Sequence, residues 1–105
     1  LRALAQEVGG NFLAELVAQF VRCTDSLFDE LSEALGVGDA PAVARIAHRI
    51  KGSCGDLGGQ RLAAACGRLE MKAIAGTLLD GRRELGDLRL DYEDLCRVWE
   101  QELTA

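Results

Sequence analysis

The chain has 105 residues, enough for one domain with a single core, and 49% of them are hydrophobic while 28% are charged. The formal net charge is −5, and the sequence shows no Lys/Arg stripe of the kind that backbone binding to nucleic acid requires. No apolar run approaches the roughly 20 residues that cross a membrane, and no signal peptide is present.

Helical periodicity dominates from the start, with one proline and no sustained strand alternation. Residues 1–8 form a short apolar-polar segment ending at Gly9 and Gly10. Asn11 is placed to cap a long first helix whose inward row reads Phe12, Leu16, Gln19 or Phe20, Cys23, Leu27, Leu31 and Leu35, stopping near Gly36. A turn at Gly36-Val37-Gly38 follows, and Asp39 caps the next helix with Pro41 in its first turn. In that helix Val43, Ile46, Ala47, Ile50, Ser53, Cys54 and Leu57 make one seam, ended by Gly58-Gly59. The third long helix turns Leu62, Ala65, Cys66, Leu69, Ala73 and Ile74 inward and runs to about Gly76. Residues 77–86 read as a looser connection, and the last helix buries Leu88, Tyr92, Leu95, Trp99 and Leu103. The expected fold is all-α: a single domain over residues 1–105, an antiparallel four-helix bundle with a short extra N-terminal helix.

Cys23, Cys54, Cys66 and Cys96 make no Cys-x-x-Cys pair, and one histidine cannot complete a zinc pattern. All four lie in helical periodicity beside apolar neighbours, so buried reduced thiols are expected, with no metal site.

The one histidine, His48, lies about 160° from the buried direction of its helix and therefore faces solvent. Arg45, Gly52 and Gly55 share its face, and Lys51 lies one turn on. Glycine inside a helix is unfavourable by roughly 0.5–1 kcal/mol relative to alanine, so bare backbone around an exposed ring suggests room for an approaching surface. Neutral imidazole is a nucleophile at physiological pH, and a nearby ammonium can balance the charge of an incoming phosphoryl group. No nucleophile elbow, acid pair or phosphate-cradling glycine loop is present.

The stretch His48, Arg49, Ile50, Lys51, Gly52, Ser53, Cys54, with Gly58 and Gly59 following, resembles the motif of the histidine-containing phosphotransfer (HPt) domain of bacterial multistep phosphorelays. "GGNFLAELVAQFVRCTDSLFDELSEAL" is similar to that family's first long helix and "RLAAACGRLE" to the helix after the motif. The resemblance implies that His48 accepts and donates the phosphoryl group and that Lys51 compensates its charge. It further implies that Gly52 leaves room for the partner, that Ser53 and Cys54 pack inward, and that Gly58 ends the helix. Glu70 falls where some relatives carry glutamine near the imidazole, and a carboxylate there could orient the ring, repel phosphate, or simply be a solvated surface group.

The implied partners are receiver domains of response regulators or of a hybrid kinase. They would bring the Mg²⁺ and most catalytic groups, leaving this monomeric chain without a cofactor and a carrier more than a catalyst. Two alternatives are a phosphoacceptor domain of a chemotaxis-type histidine kinase and a helical interaction module that has lost phosphotransfer. A start other than methionine, and ten arginines against two lysines, suggest a segment of a bacterial hybrid sensor kinase, located in the cytoplasm. The docking patch is expected to draw on exposed residues of the first two long helices.

Overall fold

The computed structural model describes residues 10–54, 59–78 and 80–104, and these form four helices in chain order. They are α1 (Gly10–Val37), α2 (Ala40–Cys54), α3 (Gln60–Ala75) and α4 (Gly81–Thr104). No strand occurs among the described residues. The extra N-terminal segment, Leu57 and the helix-ending Gly58 lie outside them.

The turns follow from local chemistry. After α1, Gly38 takes a left-handed conformation (φ 73°), and the Asp39 amide reaches back to the Ala34 carbonyl at 3.0 Å. The Asp39 carboxylate then accepts from the Ala42 amide at 3.2 Å, the expected cap of α2. Gly76, again left-handed (φ 72°), closes α3 while the Thr77 amide donates to the Lys72 carbonyl at 2.9 Å. The connection after it is shorter than the sequence suggests. Asp80 caps the Arg83 amide, so residues 81–86 are the first turns of α4 rather than a loop. Gly81 and Gly86 obscured that start, although Asp80 was its signal.

A two-residue connection sends α2 back along α1, and α2 packs most extensively on α3. The core is built from Leu13, Val17, Phe20, Leu27, Phe28 and Leu31 of α1, the α2 and α3 seams, and Leu88, Tyr92 and Trp99 of α4. Phe20 meets Trp99 edge-on at 4.9 Å and Phe28 stacks on Tyr92 at 5.1 Å, which ties α1 to α4. Tyr92 also donates to Asp25 at 2.9 Å.

Several expected core positions are displaced. Of the row expected in α1, Phe20, Leu27 and Leu31 are buried and Leu16 and Leu35 half-buried. Phe12 and Cys23 are exposed, while Leu13, Val17, Thr24 and Phe28 are buried beside that row, against α4. Asn11 lies within α1, which already includes Gly10. Ser53 is exposed and donates to the Arg49 carbonyl at 3.0 Å, while its neighbour Cys54 takes the inward place. Ile74 and Leu103 are exposed near helix ends, and Leu95 is half-buried. All four thiols are free, as expected, but only Cys54 and Cys66 are buried. Burial pushes the Cys54 thiol up to about 11 and the Cys66 thiol to about 12.

Candidate phosphotransfer site

His48 sits midway along α2 with its side chain 69% exposed, as its helical angle requires. Its Nδ1 lies 3.1 Å from Oε2 and 3.3 Å from Oε1 of Glu70 on α3, whose side chain is 21% exposed. An ionised carboxylate only accepts, so Nδ1 carries the hydrogen and donates. The lone pair is thereby left on Nε2, the ring nitrogen not engaged by Glu70.

One turn further along α2, Lys51 crosses to Gly67, one turn before Glu70 on α3. A Cβ added at Gly67 would lie 3.7 Å from Lys51 Nζ and 3.8 Å from its Cδ and Cε, so the lysine stem lies over bare backbone. The two contacts have the same antiparallel register: three residues forward on α2 correspond to three residues back on α3. His48, Lys51, Gly67 and Glu70 thus form the corners of one patch.

Gly52 has no atom within 4 Å of the place a Cβ would occupy, so packing does not require glycine there. Gly59 is different. A Cβ there would approach Leu95 Cδ2 to 2.9 Å and Cys54 Cβ to 3.1 Å, so this glycine allows the start of α3 to lie close against α4 and the end of α2.

Arg45, Arg49 and Lys51 are all exposed on α2, which carries no acidic residue. The chain is acidic as a whole, yet its histidine helix presents a basic face that net charge concealed. Gly55 lies outside the described residues. Gly67 was not singled out from sequence; a glycine in mid-helix without a packing reason was the available signal.

Among the described residues, no group of three or more His, Cys, Asp or Glu side chains could hold a metal ion. No described helix is long and apolar enough to cross a membrane.

The family model for the Hpt domain matches residues 15–105. The chain belongs to the Hpt domain family. It is also similar to the sensor histidine kinase AruS of Pseudomonas aeruginosa, 36% identical over 93 residues. That match covers 86% of this chain but only 9% of the kinase, so the chain spans a small part of the relative's length. No solved structure matches the chain significantly. The Hpt domain described here is a phosphotransfer module of two-component signalling, and domains of its family interact with receiver domains in phosphorelays.

Proposed function

We propose that His48 Nε2 is the phosphoryl acceptor and donor, taking the group from a receiver-domain aspartyl phosphate and passing it to a second receiver. The observation that carries this reading is the Glu70 contact at Nδ1 of an exposed ring, 3.1 Å long. It holds one tautomer and leaves Nε2 free to attack.

In the forward step Nε2 attacks phosphorus, the N–P bond forms, and the P–O bond to the aspartyl carboxylate breaks. The carboxylate leaves with that electron pair, while Nδ1 keeps its hydrogen in contact with Glu70. Transfer onward is the reverse at a second aspartate. Glu70 acts as a positioning residue, and its negative charge offsets the positive charge the ring acquires on phosphorylation. Lys51 supplies an ammonium one turn away for the phosphoryl oxygens, and Gly52 and Arg45 lie where the partner approaches. Mg²⁺ and the remaining catalytic groups come with the receiver, which makes this module a carrier.

Phosphoramidate, a small phosphodonor, and a receiver loaded with acetyl phosphate should both label the domain. The label should be acid-labile and base-stable, and absent from His48→Gln. Acid-stable label, or label persisting in that variant, overturns the assignment.

A further inference from the structure

The neighbourhood of His48 is unlike on its two flanks. At about 1.5 Å per residue, the 15-residue α2 lies along roughly the second half of α1. The exposed side chains there include Asp25, Asp29, Glu30 and Glu33. The exposed large hydrophobics of α1 are Phe12 and Val37, one near each end of the helix, and α2 has none. The other flank, on α3, is a shallow trough of about 670 Å³ that includes Ala63, Ala64 and Gly67, with Met71 67% exposed beside them. Lys51, Arg68 and Lys72 complete its lining.

Charge follows the same division. α2 and α3 carry Arg45, Arg49, Lys51, Arg61, Arg68 and Lys72 against the single acid Glu70. Arg61 and Lys72 are engaged by Asp91 and Glu84 of α4 at 3.2 and 2.6 Å. Arg45, Arg49, Lys51 and Arg68 make no ion pair with described residues, so their charge is available to a partner. Gly67, like Gly36, Gly52 and Gly86 in their helices, is a glycine that packing does not require: the atoms nearest its added Cβ belong to Lys51, at ordinary contact distance. A helix that leaves this position bare forgoes stability to keep the trough open.

We propose that the receiver partner docks across the α2–α3 face, on the side of His48 away from α1. It would seat an apolar side chain in the Ala63–Ala64–Gly67 trough against Met71 and set an acidic rim on Lys51 and Arg68. The trough is continuous with the reactive ring, because Lys51 and Gly67 adjoin His48 and Glu70 by one helical turn. Charge complementarity selects the partner: an acidic surface is attracted here and repelled by the carboxylates exposed on α1. This proposal rests on the phosphotransfer reading above and specifies its docking face.

The test measures phosphotransfer from purified receiver domains of the same genome, each loaded with acetyl phosphate and Mg²⁺; the fastest donor serves as probe. Phosphoramidate labelling, which needs no docking, is run in parallel. Met71→Glu should label with phosphoramidate as the wild type does, yet accept phosphate from the receiver about tenfold more slowly at subsaturating receiver. Arg68→Glu should slow transfer comparably and flatten its dependence on salt. Glu33→Gln, on α1, should leave transfer within about twofold. Wild-type transfer in both Met71→Glu and Arg68→Glu overturns the docking face while leaving the acceptor intact. Failure of the wild type with phosphoramidate and with every receiver overturns the phosphotransfer reading itself.

Discussion

The α1–α4 pair and the α2–α3 pair solve different problems with different side chains. Between α1 and α4 the contacts are aromatic: Phe20 on Trp99, Phe28 on Tyr92, and the Arg89 guanidinium 5.3 Å over the Phe28 ring. Large rings bury the most apolar area per residue, and their shapes fix how the two long helices meet. The α2–α3 interface has no aromatic residue. The buried residues of these two helices include Ala42, Ala47, Cys54, Ala65, Cys66 and Ala73 beside a few larger aliphatics, side chains small enough for helices to lie close. Close approach lets a short carboxylate on α3 reach a ring on α2. Both pairs build the core, and the second also positions the chemistry.

Replacing His48 with Gln gives the sharpest separation. It should abolish phosphate acceptance, while thermal unfolding shows little change because the side chain is exposed. A large fall in melting temperature would mean that the site and the fold are not separable. Trp99→Ala should do the opposite. Loss of a side chain that is only 1% exposed should destabilise by about 3–5 kcal/mol in denaturant titrations, with phosphoramidate labelling per folded molecule unchanged.

Alkaline pH probes the buried thiols of the small-residue pair. Cys54 and Cys66 have folded pKa values raised from 9.0 to about 11 and 12 by burial. Their contribution to stability is complete below pH 9 and is lost as pH rises through 9 to 12, because the unfolded thiols ionise first. Cys54→Ala combined with Cys66→Ala should flatten the fall in stability across that window. An unchanged fall would move its origin to other groups. Tyr92, raised by burial and by its hydrogen bond to Asp25, belongs to the other pair and contributes the same sign.

Glu70→Ala should reduce transfer by about tenfold, the equivalent of roughly 1.4 kcal/mol for one charge-assisted hydrogen bond that orients the ring. Glu70→Gln retains an acceptor for Nδ1 and should recover part of the rate, with an altered pH–rate profile. A merely structural role would leave that profile unmoved. The smallest effect is expected at Gly52. Gly52→Ala should raise stability by about 0.5–1 kcal/mol, since nothing lies within 4 Å of the added methyl. A destabilised variant would show that the bare face serves folding after all.

Much of this division is visible in the sequence. The 3.6-residue period fixes which side of each helix is apolar, so the outward direction of His48 and the inward one of Ile46, Ile50 and Leu69 follow without coordinates. The caps at Asp39 and Gly76 are equally local, since each turn meets its own hydrogen-bonding needs. Where two neighbouring rows of one helix are both apolar, periodicity no longer chooses. In α1 the expected and the buried rows share Phe20, Leu27 and Leu31, and where they part, at Cys23 against Thr24 and Phe28, the stacking of Phe28 on Tyr92 favours the second.

The sequence by itself thus determined four helices, the buried seams of α2 and α3 and the exposed histidine beside a lysine and a glycine. Tertiary structure decided the rest: that Glu70 meets Nδ1, that Lys51 lies over Gly67, and that the basic side chains of α2 and α3 come to flank one patch. The reason is geometric. A helix's own residues set angles about its own axis, whereas the register that brings His48 to Glu70, 22 residues on in the sequence, depends on how both helices are packed against everything else.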